Sequence, residues 1–548
     1  MKYRKKLVLF SLFLMNLVDQ PAPEVDIEQG KLIGKTSVDG SFFEYMGIPY
    51  ATTNSSTRFK APGPPPTWKG VFQAITSDMC PQVSLLGKVL GSEDCLKVNV
   101  YVPALARQPL KVMVFIHGGA FILGSGGKFI YAPHFFMKKD VILVTFNYRL
   151  GALGFICLGT KDAPGNAGLK DQIAALKWVK RNIADFGGDP NDITLFGESA
   201  GATSASVLLA SPITEGLFTK VIMQSGNSIS NWAINRKPVW KASLVAKKLG
   251  FDSEDPHELY EFFMTADYRD LVAVPPGTPD ELFFDTQLLH LPCVEEEIPG
   301  EEAVLTDLPY NLLSQKVKNI PIIHGTNSKE GMFLTSEDDG TVDKRNGMYI
   351  VASDLRFSSV EEGMAVSRKA QEFYFGDEPI SLKKIDNVTN LYTQLYFEVP
   401  AIMETELLLN RTTSRVYNYI FNYSGSRNFL KQRSGRGEEP GACHADDLFY
   451  MFDSVLTPFP INDKDWLMID TMTTMWTNFA KYGDPTPNSQ KLPYKWLPSE
   501  KNNLRFLYID DDLRMGPMPH PEAYALWKDI YTKYRKTNVK QPSIGPIT

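Results

Sequence analysis

Cysteine is scarce in this chain: Cys80, Cys95, Cys157, Cys293 and Cys443 are the only five among 548 residues. So few exclude a disulfide scaffold, and none has the paired spacing of a zinc site. An odd number also leaves at least one thiol unpaired. Charge of one sign is lacking too, with 57 Lys and Arg against 63 Asp and Glu and a net charge of −6. That balance argues against a nucleic-acid binder, which needs a basic face to replace counterions along phosphates. Beyond the first twenty residues no apolar run reaches the length of a membrane-spanning helix, so no stable membrane span is expected. Internal repeats and extended low-complexity segments are absent. Histidine is limited to seven residues, which narrows the search for a catalytic base.

What is present is globular. Apolar residues make up 43% and charged residues 22%, ordinary values for a chain that buries a large core. Length alone suggests three or four domains, but large α/β enzymes often build one unit around one sheet. Residues 21–548 are expected to form such a unit. At the start, Lys2, Arg4, Lys5 and Lys6 precede an apolar run from Leu7 to Val18, the pattern of a secretory signal over residues 1–20. Asp19, Gln20 and Pro21 stand where small residues belong at a cleavage site, so an uncleaved anchor is the alternative. Without a functional signal the chain is expected in the cytoplasm. Glycosylation sequons at Asn54, Asn387, Asn410 and Asn422 agree with export. Cys80 and Cys95, the nearest pair, lie in a loop-like stretch and are expected to form a disulfide; five reduced thiols would mark a cytosolic chain. The tail QPSIGPIT carries neither a retention nor a lipid-anchor signal.

The first hundred residues read as short strands and turns, with PGPPPTW at 62–68 as a rigid loop. Val112 to Ile116 and Val141 to Phe146 are continuous apolar, β-branched runs, as expected of strands covered on both faces. Between Leu169 and Phe186 the apolar residues step by three or four, which predicts a helix ended by Gly187, Gly188 and Pro190. Strands are predicted at Ile193 to Phe196, Val221 to Met223, Ile320 to Ile323 and Val416 to Phe421, and a helix from Ala200 to about Ala210. Alternation of this kind implies a doubly wound α/β fold around a mostly parallel sheet. The regions 235–315 and 355–410 read as mostly helical insertions over that sheet.

The sharpest chemical signal is Gly197-Glu198-Ser199-Ala200-Gly201, between the strand ending at Phe196 and the helix starting at Ala200. A serine in a tight strand-to-helix turn needs small neighbours, which is the logic of a nucleophile elbow. The N-terminal amides of the helix favour a developing oxyanion, and the Ala200 N–H is one expected donor. A second small-residue loop, His117-Gly118-Gly119-Ala120-Phe121, follows the strand ending at Ile116. Its place after a parallel strand is where ligands bind in such sheets. A serine hydroxyl also requires a base held in one tautomer by an acid. Among the histidines, His444 stands out in the loop Gly441-Ala442-Cys443-His444-Ala445-Asp446-Asp447. For the acid, Glu330 follows a strand, while Asp446 and Asp447 compete by nearness to His444, and spacing does not separate them.

These stretches, together with Glu93-Asp94-Cys95-Leu96, NYRLGALGF at 147–155, GNAGLKDQ at 165–172, FGGDP at 186–190 and GACHADDLFYMF at 441–452, resemble the carboxylesterase type B, or cholinesterase-like, family of α/β hydrolases, above all its insect carboxylesterases. The resemblance runs from about Gln29 to Trp527. It implies an α/β-hydrolase fold, with helical insertions over the active site. It also implies Ser199 as nucleophile, Glu330 as acid, His444 as base, and an oxyanion hole from Gly119, Ala120 and Ala200. Many relatives read HGGGF where this chain reads HGGAF, and an alanine amide donates equally well. The family disulfide falls on Cys80 and Cys95. A second bridge found in some relatives is expected to be absent, with Cys293 unpaired. Arg58 with Glu93 and Arg149 with Asp171 match structural ion pairs. Glu198 and Ser225 match positions that orient water and the histidine, and Trp232 an acyl-pocket wall.

The resemblance implies hydrolysis of a small-molecule carboxylic ester through an acyl-enzyme, with no metal or cofactor. A cholinesterase is disfavoured, because its ammonium-stacking tryptophan has no counterpart between Pro81 and Asp94, where no aromatic residue occurs. Juvenile hormone esterase is a nearer alternative, although such enzymes typically carry Gln where Glu198 stands. A catalytically inactive adhesion or binding protein of the same fold is the alternative from another class. Xenobiotic, odorant and hormone esters all remain open as substrates, and the oligomeric state is unreadable.

Overall fold

The computed structural model describes residues 20–84, 86–105, 109–279, 286–336, 341–344, 350–458 and 460–538. The expected signal segment lies almost wholly outside these residues, as does the tail QPSIGPIT. One thirteen-stranded sheet runs through the molecule. Its strands are β1 (Pro21–Ile27), β2 (Gly30–Thr36), β3 (Phe42–Pro49), β4 (Val71–Gln73), β5 (Lys97–Pro103), β6 (Leu110–Ile116), β7 (Val141–Phe146), β8 (Gly188–Glu198), β9 (Lys220–Gln224), β10 (Ile322–Asn327), β11 (Val416–Phe421), β12 (Phe506–Ile509) and β13 (Arg514–Gly516). They lie in the order β1-β2-β3-β5-β7-β6-β8-β9-β10-β11-β12-β13, with β4 beside β2. From β7 to β12 every neighbouring pair is parallel, and antiparallel strands close both ends.

Period-2 alternation explains why β6 is apolar from Val112 to Ile116. Val112, Val114 and Ile116 enter a core on one face, while Met113 and Phe115 enter a second core on the other. Ile142 and Val144 of β7 share the first core, and Val141 and Leu143 the second. Both faces are therefore sealed, as a parallel sheet requires.

Chain order reverses around β6. The chain leaves β6 to form β7 on one side, then returns to form β8 on the other, and Ile116 pairs in register with Gly197. Such a switch point opens a crevice beyond the carboxyl ends of the strands. Here it sets the loop after β6 beside the turn after β8.

The expected helix from Leu169 is α1 (Ala167–Asn182), which tightens into a 3₁₀ turn over Ile183–Phe186 and stops at Gly187, whose φ of 82° favours glycine. After β8 comes α2 (Ala200–Ala210). The strand expected at Ile320 to Ile323 instead spans Ile322–Asn327, because His324 to Asn327 are buried between β9 and β11 although they are not apolar. The insertion at 235–315 is only partly helical, since it also holds a short hairpin, Gly277–Pro279 with Thr286–Leu288. The second insertion carries α3 (Val360–Phe375), then α4 (Ile385–Thr393), a π-turn over Gln394–Glu398 and α5 (Val399–Arg411). The last helix is α6 (Pro521–Tyr534).

The Cys80–Cys95 disulfide is present. The expectation for Cys293 was wrong: it is bridged to Cys157 across 136 residues of sequence. Asn166 welds the two loops together, its side chain accepting from the Cys293 N–H at 2.9 Å and donating to the Cys293 carbonyl at 2.8 Å. A side chain at Gly165 would meet both sulfurs at 2.6 Å, so the bridge needs glycine there. Sequence distance hid a pair that only the folded insertion brings together. Cys443 is free and buried. Among the described residues no helix is long and apolar enough to cross a membrane.

Candidate active site

Ser199 sits at the N-cap of α2 with φ 56° and ψ −123°, a conformation that L-residues rarely hold. Packing explains the small residues around it. A Cβ at Gly201 would lie 2.0 Å from the Ile116 carbonyl oxygen, and one at Gly197 would lie 2.5 Å from the Gly201 backbone. Any larger residue would push the turn away from β6. The Ser199 N–H is tied to the Gln224 carbonyl at 2.8 Å, which anchors the strained turn to the end of β9.

The other two elements arrive from β10 and β11. The Ser328 N–H bonds the Phe421 carbonyl and the Lys329 N–H the Ala442 carbonyl, both at 2.9 Å, so the loops after the two strands are stitched together. Three residues past β10, Glu330 accepts the Asn327 N–H at 2.7 Å through Oε1. Its Oε2 lies 2.5 Å from His444 Nδ1, and His444 Nε2 lies 2.9 Å from Ser199 Oγ. All three side chains are buried.

Asp446 and Asp447, the competing acids, face elsewhere. Asp446 accepts from the N–H groups of Cys443, Leu430 and Lys431 and so braces the histidine loop. Asp447 accepts from Gln224 Nε2 at 2.8 Å and from the Tyr419 hydroxyl at 3.1 Å. Neither hydrogen-bonds the imidazole.

Three consecutive residues of the loop after β6, Gly119, Ala120 and Phe121, have positive φ. Among the described residues the Gly119 and Ala120 amides donate to no protein acceptor, and the Ala200 N–H, at the first position of α2, has no intrahelical partner. The glycine before them is sterically required, because a Cβ at Gly118 would stand 2.7 Å from Glu198 Oε2 and 3.1 Å from Ser199 Cβ. His117 is not part of the line. It stacks on Tyr148 at 4.4 Å, and burial lowers its pKa to about 4.

Electrostatics concentrate on His444 and Glu198. Burial opposes the imidazolium, but the carboxylates of Glu198 and Glu330 outweigh it and raise the His444 pKa to about 9. Burial also raises Glu198 to about 8, with the charges of Asp447 and Glu330 adding to it and that of His444 opposing. Glu198 Oε1 is 3.3 Å from His444 Nε2. A protonated Glu198 cannot hold His444 charged, so the two titrate as one coupled unit. Among the described residues no group of three or more His, Cys, Asp or Glu side chains could hold a metal ion.

A model of the carboxylesterase family matches residues 21–527. The chain belongs to the carboxylesterase family. It is a carboxylic ester hydrolase with an α/β-hydrolase fold. Esterase FE4 of Myzus persicae is 31% identical over 534 residues, covering 90% of this chain and 91% of its own. Juvenile hormone esterase of Tribolium castaneum is 34% identical, covering 87% of this chain and 86% of its own. The crystal structure of juvenile hormone esterase from Manduca sexta, with OTFP covalently attached, superposes with a TM-score of 0.81 at 29% identity, over 93% of this chain and 99% of that one.

Within this family framework, two neighbours of the site, Phe397 and Phe333, carry no sequence signal. Phe397 and Phe333 face the imidazole, with ring centroids 4.9 and 5.8 Å from it. Trp232 lies 5.8 Å from Phe397, and its indole N–H donates to the Tyr396 carbonyl at 3.0 Å. Pro400, four residues on, has no N–H to offer that carbonyl, and side-chain donors take the position. Ser225 does not join the line: its hydroxyl is buried without a hydrogen-bond partner among the described residues. The ion pairs Arg58–Glu93, at 2.8 Å, and Arg149–Asp171, at 2.6 Å, form away from the serine. Of the sequons, Asn54 and Asn410 are exposed, whereas the amides of Asn387 and Asn422 are spent on the Tyr374 carbonyl and Asp510, each at 2.6 Å.

Proposed function

We propose that this carboxylesterase hydrolyses esters through an acyl-enzyme on Ser199. His444 Nε2 takes the serine proton as Oγ attacks the ester carbonyl, while Nδ1–H donates to Glu330, which holds the tautomer and stabilises the imidazolium. The amides of Gly119, Ala120 and Ala200 receive the tetrahedral oxyanion, a type of contact in which one donor is worth about 3 kcal/mol. His444 then protonates the leaving alcohol. Water, activated by the same imidazole, attacks the acyl carbonyl and releases the acid. The observation that carries this reading is the unbroken line Ser199 Oγ to His444 Nε2, 2.9 Å, and His444 Nδ1 to Glu330, 2.5 Å.

The substrates we propose are esters of foreign compounds, odorants or hormones, as the esterase relatives support. Juvenile hormone ester is the narrower reading, favoured by the two relatives of that name and opposed by Glu198 in the elbow. Two disulfides support a life in the secretory pathway, with Asn54 and Asn410 as the sequons open to glycan. Residues 21–548 act as one catalytic unit. Turnover of p-nitrophenyl acetate by the purified chain and by Ser199→Ala tests the reading. A loss of about 10⁴-fold or more is expected, and equal turnover would point to the inactive, binding-protein alternative.

A further inference from the structure

Three features outside the catalytic line converge on one point. The first is the π-turn Gln394–Glu398, whose Val399 N–H reaches back to the Gln394 carbonyl. Such turns concentrate at functional sites. The second is Glu398, whose side chain is 2% exposed and whose only hydrogen-bonding partner among the described residues is the His520 imidazole, with Nδ1 2.9 and 3.0 Å from the two carboxylate oxygens. The third is His520 itself, which lies between Pro519 and Pro521 with φ 38° and ψ 59°. A left-handed backbone is unfavourable for any residue with a Cβ, and more so before proline. The chain holds this strain at a half-exposed residue that packs no core.

We propose that His520 is a positioning residue: by clamping the buried Glu398 carboxylate it fastens the π-turn, and so fixes Phe397 as the wall that limits acyl length. This rests on the esterase reading above. Phe397 adjoins Glu398 in the turn, faces His444 at 4.9 Å and leans on Trp232 at 5.8 Å. The Tyr396 carbonyl, held by Ser230 Oγ and Trp232 Nε1 at 3.0 Å each, pins the other side of the turn. Releasing Glu398 therefore frees one side of Phe397 only, and longer acyl chains gain room.

The clamp is also sensitive to pH. Its bond to Glu398 raises the His520 pKa, against burial and the nearby Lys329 charge. Glu398 is faced in turn by Tyr374 of α3 and Tyr508 of β12, with Arg514 of β13 over the Tyr508 ring. As pH rises through the His520 pKa the cation is lost and the clamp weakens.

The test is the ratio of kcat/KM for p-nitrophenyl octanoate to that for the acetate, from pH 5.5 to 9.5, in which the ionisation of His444 cancels. In the wild type the ratio should rise with pH. His520→Gln and Glu398→Gln should raise it at least fivefold at pH 6, chiefly through KM, and flatten its pH dependence. His520→Lys should hold it near the wild-type acid value throughout. Equal ratios in folded variants overturn the inference. If neither Gln variant folds, a flat wild-type ratio does so. A wild type that turns over no ester removes the esterase reading and this inference together, whereas turnover with an unmoved ratio removes the inference alone.

Discussion

At Ser199 the chain holds a disfavoured backbone so that one hydroxyl can stand clear of its neighbours, and the glycines at 197 and 201 exist to make that approach possible. The residue-scale chemistry then depends on how much negative charge surrounds His444. Glu198 is the adjustable contributor, because it lies 3.3 Å from Nε2 and is not the residue that fixes the tautomer. A negative neighbour favours the imidazolium, so its removal lowers the His444 pKa and enlarges the basic fraction at low pH. The acid limb of the kcat/KM profile of Glu198→Gln should therefore move to lower pH. Its plateau should fall about tenfold, roughly 1.4 kcal/mol, as the transition-state imidazolium loses a counter-charge. A pH–rate profile of both proteins on one ester measures both effects. An unmoved acid limb would mean that Glu198 is already neutral in the free enzyme.

Helix α2 must present its N-terminus to the site, and a polar bolt ties it to α5. Glu404 of α5 is buried and accepts from Ser206 Oγ of α2 at 2.9 Å and from the Ser228 N–H at 3.1 Å. Burial raises its pKa to about 7, opposed only in part by those hydrogen bonds. Because the folded value lies above the usual 4.5, the stability this group contributes is fully present below about pH 4.5 and is lost as pH rises through 7. Glu404→Gln should thus unfold at a higher temperature than the wild type at pH 8, by on the order of 1 to 3 kcal/mol, and show little difference at pH 5. Thermal unfolding at the two pH values checks this.

The same elements show what could be read in advance. Strands β6 and β7 were legible because burial on both faces writes a continuous apolar run, β8 and β11 in part through their place in the strand–helix alternation, and α1 because its apolar residues keep helical spacing. The elbow and the glycine loop were legible because a tight turn demands small residues in a short window. Phe397 and His520 could not be placed that way, and Trp232 was placed only by the family resemblance: 165 residues of sequence separate Trp232 from Phe397, and only the fold joins them. The proposed acid was a mixed case. Nothing local distinguishes Glu330 from Asp446 or Asp447; the family resemblance singled it out, and the pairing of β10 with β11 is what sets its carboxylate beside His444.

Across the whole molecule the least legible feature is the link from Cys157 to Cys293, which closes a loop of 136 residues around β8 and α2. Chain entropy assigns such a closure about 4 to 5 kcal/mol. Thiol titration of the denatured, unreduced chain should find one free group, Cys443, and five after reduction. The paired variant Cys157→Ser/Cys293→Ser should lose several degrees of thermal stability and keep its ester turnover at low temperature.

The organisation of the sheet makes its own claim, that strands far apart in sequence deliver one nucleophile, one base and one acid to a single switch point. Stopped-flow mixing with p-nitrophenyl acetate, coupled to acid quench and peptide mass analysis, addresses it directly. The account predicts a burst approaching one p-nitrophenol per chain and an acetyl group on the peptide that carries Ser199. An acetyl group on any other residue, or steady turnover that survives in Ser199→Ala, would contradict it.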